Sequence, residues 1–189
     1  VRGGVTMVQL RDKQANTTEL VEVGRALMTA LHNTGVPLII NDDVDVALAI
    51  GAHGVHVGQS DQSPSLVRAR VGPTAIVGLS CETVQHAQQA DPAVLDYVGV
   101  GPVFDTSTKP DHAAAMGLDA LRAARAATPL PAVAIGGIHR SRVANVLATG
   151  VDGVAVVSAV CGQPDVAAAA RALRRDIDAC FADANLSSS

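Results

Sequence analysis

Seven times along this chain a short run of apolar, mostly β-branched residues gives way to a polar stretch and then to apolar residues at helical spacing. Val5 to Leu10 ends in Arg11-Asp12-Lys13, and a helix is predicted over Thr17 to Asn33. Val36 to Ile40 ends in Asn41-Asp42-Asp43 and leads to a helix through Val44 to Ile50. Gly54 to Val57 runs into Gly58-Gln-Ser-Asp61, with Ser63-Pro64 expected to cap and open the next helix. Ala75 to Leu79 ends in Ser80-Cys81 before a helix from Thr83 to Ala90. Asp96 to Val100 is followed by a long loop and a helix from Leu118 to Ala127. Pro131 to Ile135 ends in Gly136-Gly137-Ile138 ahead of a helix from Ser141 to Thr149. Gly153 to Val157 ends in Ser158, and an alanine-rich helix closes the chain from Asp165 to Asp183.

Strict alternation of buried strand and helix predicts an α/β fold with an all-parallel sheet covered on both faces. An open doubly wound sheet calls for a glycine-rich turn after the first strand, and Arg11-Asp12-Lys13 is not one. Polar residues instead follow every strand, as they do when all the strand C-termini converge on the mouth of a closed (β/α)8 TIM barrel. Seven units are legible, so the expectation is a single barrel domain over residues 1–189 with the first β/α unit absent from its front.

At 189 residues, 48% hydrophobic and 17% charged, the chain is long enough to fill one core and too apolar to be disordered. A net charge of −4, no Lys/Arg cluster, and only Tyr97, Phe104 and Phe181 to stack on bases argue against a nucleic-acid partner. Cys81, Cys161 and Cys180 show no CxxC spacing and are expected to be small buried hydrophobes in a reducing compartment. No apolar run reaches the roughly 18 residues that span a bilayer, so a cytoplasmic protein is expected.

The chemistry-bearing residues gather at the strand ends. Thr106, Thr108 and Lys109 follow a buried strand and offer hydroxyls and an ammonium to phosphate oxygens; the other reading of that loop is a solvated turn. Gly137, with Val157 and Ser158, falls in the last two strand-end loops, a pair that in closed barrels frequently binds phosphate through backbone N–H groups; the other reading is tight packing that merely needs glycine. Asp42 and Asp61 lie just past neighbouring strand ends, where they either cap helices or hold a hard cation such as Mg²⁺; Asp43 and Asp45 are better placed as caps or solvated charges. Arg11, Lys13 and Lys109 add more positive charge than one monophosphate needs, which suits a leaving diphosphate, with a solvated rim as the alternative. Gln9, Asn41 and Ser80 can read the edge of a heterocycle or hold a phosphate. His53, His56 and His86 have no metal-ligand spacing, and His56 is expected to be a strand side chain with a satisfied partner. No nucleophile–base arrangement is apparent.

Taken together, Val8-Gln9-Leu10-Arg11-Asp12-Lys13, Asn41-Asp42, Gly54-Val-His-Val-Gly-Gln-Ser-Asp61, Gly78-Leu-Ser80, Val100-Gly-Pro-Val-Phe-Asp-Thr-Ser-Thr-Lys109, Ala134-Ile-Gly-Gly-Ile138 and Gly153-Val-Ala-Val-Val-Ser158 resemble the thiamine-phosphate synthase family. The motifs lie in the family's order and span essentially Val1 to Ala159. The resemblance implies an enzyme that joins 4-amino-2-methyl-5-(diphosphooxymethyl)pyrimidine to 4-methyl-5-(2-phosphooxyethyl)thiazole with release of pyrophosphate, and that requires Mg²⁺. It implies that Asp42 and Asp61 hold the metal and that Arg11, Lys13, Asn41 and Lys109 hold the diphosphate. Gln9 would read the pyrimidine, Ser80 would lie beside the departing pyrophosphate, and Thr106, Thr108, Gly137, Val157 and Ser158 would line the thiazole-phosphate side. Among these, Ser80, Lys109 and Arg11 are the expected catalytic residues. The partners implied are small molecules, with homo-oligomerisation left open.

Two departures and two rivals follow from the same residues. The family begins with a further strand and helix that have no counterpart before Val1, and Pro110 to Met116 is expected to cover the site. A paralogous thiazole tautomerase would not need Asn41-Asp42, Asp61 or the Thr-Ser-Thr-Lys loop, and Pro102 stands where that rival is expected to carry a histidine. A non-catalytic barrel that binds thiazole phosphate would release no pyrophosphate.

Overall fold

The computed structural model describes residues 1–106 and 114–187. Its elements alternate as expected: β1 (Val8–Leu10), α1 (Thr17–Leu31), β2 (Leu38–Asn41), α2 (Val44–Ile50), β3 (Gly54–Val57), α3 (Pro64–Val71), β4 (Ile76–Cys81), α4 (Val84–Gln88), β5 (Tyr97–Val100), α5 (Gly117–Ala126), β6 (Ala132–Ile135), a 3₁₀ turn (Arg140–Arg142), α6 (Val143–Leu147), β7 (Gly153–Ala155) and α7 (Val166–Ser187). Two compact units are distinguished: Val1, Val5–Ser80 and Asp91–Tyr97 form the first, and Arg2–Gly4, Cys81–Ala90 and Val98–Ser189 the second.

In the first unit β1 to β4 are parallel and pair in chain order, with Gln9 beside Ile39, Asn41 beside His56, and His56 beside Gly78. The strands are largely apolar, with Gln9, Asn41, His56 and Ser80 as the polar exceptions, and Leu38, Ile39, Val55, Val57 and Val77 are 0% exposed. Each such side chain contributes about 1.5–3 kcal/mol of burial. The helices have ordinary local causes. A capping box at Asn16 and Glu19 starts α1, and Asp43 caps α2 by accepting from the Val46 N–H at 2.9 Å. Left-handed Gly51 (φ 66°) ends α2.

In the second unit β5, β6 and β7 are again parallel and in chain order, with Val100 beside Ala134 and Ile135 beside Ala155. Val98, Val100, Leu121, Ala132, Ala134 and Val146 are fully buried. Close packing also fixes Gly3, where a Cβ would stand 2.5 Å from that of Ala170 on α7.

The same polar lock closes the strand starts of each unit. In the first, the Asp96 N–H donates to the Val77 carbonyl while its carboxylate accepts from the Val77 N–H at 2.7 Å and from Arg68 at 2.6 Å. In the second, Asp152 pairs with both backbone groups of Ala132 and with Arg125 at 3.2 Å.

Ser63 and Pro64 stand at the N-cap and first turn of α3 as expected, although the Ser63 side chain makes no capping hydrogen bond. Three expectations need correction. The segment expected to be helical from Ser141 begins as a 3₁₀ turn. The last strand stops at Ala155, because Val157 turns to accept from the N–H groups of Val160 and Cys161. Only Cys81 is buried: Cys161 lies in that exposed turn and Cys180 is half-exposed on α7. Among the described residues no helix is long and apolar enough to cross a membrane.

Candidate active site

Asp42 follows β2 with a left-handed backbone (φ 63°), which Asp tolerates better than most residues. The turn is held by its N–H, which donates to the His56 carbonyl at 2.8 Å, and by the Asp43 N–H, which donates to Asn41 at 2.8 Å. Asp61 is fixed in the loop after β3, its carboxylate accepting from the Gly58 N–H at 2.7 Å. The two carboxylates, 19 positions apart in the chain, are close enough for Asp61 to perturb Asp42, and the Lys13 ammonium pairs with Asp42. Burial pushes the Asp42 carboxyl above its ordinary range; Asp61 adds to the rise and Lys13 opposes it. Asp43 and Asp45 are spent elsewhere, as a cap and as the partner of Arg70.

This donor set fits a divalent cation. Two oxygen ligands held against their own repulsion are relieved by a hard ion, and the described residues hold no group of three or more His, Cys, Asp or Glu that could ligate one. Such a pair leaves coordination positions to water and substrate oxygens, as Mg²⁺ prefers. Arg11 is half-buried just past β1, and a cavity of about 180 Å³ is lined by Lys13, Asn41 and Asp42.

Beside the acidic pair runs a polar cluster that sequence reasoning resolved only in part. His56 is 7% exposed, with Nδ1 2.8 Å from the Tyr97 hydroxyl and Nε2 2.9 Å from Ser80 Oγ. Gln9 neighbours the same Tyr97 hydroxyl. Burial raises the Tyr97 phenol well above its ordinary value, so the group stays protonated. The satisfied partners expected for His56 are therefore present, but Tyr97 carried no sequence signal of its own. A usable signal lies at Gly78, in the middle of an apolar strand: a Cβ there would stand 2.3 Å from Tyr97 Cζ and 2.5 Å from His56 Nδ1.

In the second unit Gly136 (φ 101°) and Gly137 (φ 61°) carry the turn after β6 in conformations that favour glycine. A Cβ on Gly137 would stand 2.5 Å from the Asp105 carbonyl. Arg142 donates to the Gly137 carbonyl at 2.7 Å and stacks its guanidinium 4.2 Å over the Phe104 ring, so one side chain ties this turn to the segment after β5. Sequence reasoning missed Arg142 and Phe104, because their contact spans 38 positions. Val157 and Ser158 are exposed at the turn after β7, and Thr106 is half-buried. Thr108, Lys109 and the start of the expected cover at Pro110 to Met116 lie outside the described residues.

Residues 1–160 match the family model for thiamine monophosphate synthase. The chain is 51% identical over 172 residues to a thiamine-phosphate synthase of Chloroflexus aurantiacus, covering 91% of this chain and 79% of that one. It is 48% identical to the Moorella thermoacetica thiamine-phosphate synthase, again over 91% of this chain and 82% of the other. Among solved structures it resembles a thiamine phosphate pyrophosphorylase of Pyrococcus furiosus, with a TM-score of 0.86 at 37% identity over 95% of this chain and 86% of that one.

Proposed function

Because the chain belongs to the thiamine monophosphate synthase family, we propose that the acidic pair and its neighbours in the first unit hold the pyrimidine diphosphate. The enzyme makes thiamine phosphate from two small-molecule substrates. The observation that carries the assignment of the site is the meeting of Asp42, Asp61 and Lys13, two carboxylates and a cation built from separate strand ends. The fold this reading implies is a (β/α)8 barrel formed as one domain, and the all-parallel strands in chain order support it.

In the reaction the bond between the pyrimidine methylene carbon and the diphosphate oxygen breaks, its electron pair leaving with pyrophosphate. The thiazole nitrogen then supplies the pair for the new carbon–nitrogen bond. An electron-rich aminopyrimidine stabilises the cation between these steps, so the protein needs no nucleophile, only positioning and charge stabilisation. Asp42 and Asp61 would hold Mg²⁺, which supplies charge neutralisation at the diphosphate when bound. Arg11, Lys13, Asn41 and, from the resemblance, Lys109 take the diphosphate oxygens as donors. Gln9 presents an amide to the pyrimidine edge, and Ser80 offers its hydroxyl to the leaving group. Thr106, Thr108, Gly137, Val157 and Ser158 bind the thiazole phosphate through hydroxyls and backbone N–H groups.

Mixing both substrates with Mg²⁺ is expected to give thiamine phosphate and pyrophosphate in equal amounts. Asp61→Ala is expected to cut that turnover by about a hundredfold or more with the circular dichroism spectrum unchanged. Turnover at the parental rate in the well-folded variant would remove Asp61 from the metal site.

A further inference from the structure

Tyr97, His56 and Ser80 form one hydrogen-bonded chain, and its direction follows from the donors available. A phenol is the stronger proton donor of the first pair and an imidazole nitrogen the stronger acceptor, so the Tyr97 O–H donates to His56 Nδ1 at 2.8 Å. A neutral imidazole that accepts at Nδ1 carries its proton on Nε2, which faces Ser80 Oγ at 2.9 Å. Ser80 Oγ accepts in turn, and its own O–H is left to donate outward from the half-exposed strand end. The Ser80 carbonyl is meanwhile held by Gln59 Nε2 at 2.7 Å, which fixes the backbone and leaves the hydroxyl as the one rotor.

The surroundings hold this arrangement in place. The His56 ring is buried and tilted against Tyr97 with centroids 5.4 Å apart, and the space over Gly78 that accepts both rings admits no Cβ. The opposite tautomer would invert every bond: Nδ1 would donate to Tyr97, Nε2 would accept from Ser80, and the Ser80 lone pairs would face an incoming anion. Donors aligned head to tail also polarise one another, strengthening the last of them.

We propose that His56, held by Tyr97 in the Nε2–H tautomer, is a positioning residue that makes the Ser80 hydroxyl a one-way donor to the departing diphosphate. The proposal rests on the placing of Ser80 beside that diphosphate, and the tests separate the two ideas. Long-range proton–nitrogen spectra of the full chain labelled in histidine should show the His56 proton on Nε2, and Tyr97→Phe should bring the Nδ1–H form into the spectrum. In steady state Tyr97→Phe should lower kcat by about ten- to hundredfold while KM for the pyrimidine diphosphate changes less than about threefold. His56→Gln keeps an N–H near the Nε2 position and should recover part of the kcat that His56→Leu loses. In a Ser80→Ala background, Tyr97→Phe should cost no more than about twofold, since the group it orients is gone. An Nδ1–H tautomer in the parent overturns the relay and leaves the place of Ser80 standing. Parental turnover in Ser80→Ala overturns that place itself, and independent losses in the double variant overturn the coupling between them.

Discussion

Asp42 combines a left-handed backbone, partial burial and an acidic neighbour, and all three bear on what its charge costs the fold. Its carboxyl holds a proton more tightly in the folded chain than the roughly 3.9 of an unfolded aspartate. A group of that kind lowers stability once pH exceeds its folded value, and the penalty disappears as pH falls below the unfolded value. The opposing Lys13 pair does not reverse this, since its ammonium is 54% exposed and such pairs contribute about 0–1 kcal/mol. Asp42→Asn, which suits the same backbone, is therefore expected to raise Tm at pH 7 while turnover falls about a hundredfold. The gain in Tm should shrink to nothing by about pH 3. A variant less stable than the parent at pH 7 would show that Lys13 outweighs burial. The acidic pair itself was legible in the sequence, because a residue just past a strand end has a known address. The Lys13 contact was not, since the partners are 29 positions apart and meet only through the β1–β2 register.

Elements were legible wherever the apolar period was unambiguous. Val44–Ile50 and Gly54–Val57 have the expected bounds, whereas strands that run into turns lost residues at one end, as Val156 and Val157 did. Hydrogen bonding decides such ends, and periodicity does not see it. The polar locks below the strands were also invisible, for Arg68 and Arg125 sit among helix residues that look like ordinary solvated charges. Arg68 is 17% exposed and donates to the carbonyls of Val94, Gly72 and Ala75 as well as to Asp96. Arg68→Met is expected to cost about 2 kcal/mol, or roughly 4–8 °C in Tm, by leaving carbonyls unpaired and Asp96 without its cation. Arg122→Met, which breaks only an exposed pair with Asp119 on α5, should cost less than about 0.5 kcal/mol. Equal losses in thermal melts of the two variants would deny the lock its role.

At the scale of the molecule the proposed mechanism brings a charged ligand and a metal to one acidic pair, and this predicts how the two should couple. In that proposal Asp42 and Asp61 would supply only two carboxylates from neighbouring strand ends, which makes the protein alone a weak site for Mg²⁺. Pyrophosphate alone meets Lys13 and Arg11 but also the repulsion of two carboxylates. Each ligand therefore removes the obstacle to the other, by chelation in one direction and charge neutralisation in the other. Mg²⁺ and pyrophosphate added together are expected to raise Tm well beyond the sum of their separate shifts. A hundredfold excess over the joint Kd adds about 2.7 kcal/mol, or roughly 5–11 °C in a chain of this size. The same titration on Asp42→Asn should return to simple addition, because one ligand and half the repulsion are gone. Additive shifts in the parent would mean that metal and diphosphate occupy separate sites, and that Lys13 pairs with Asp42 for reasons of folding alone.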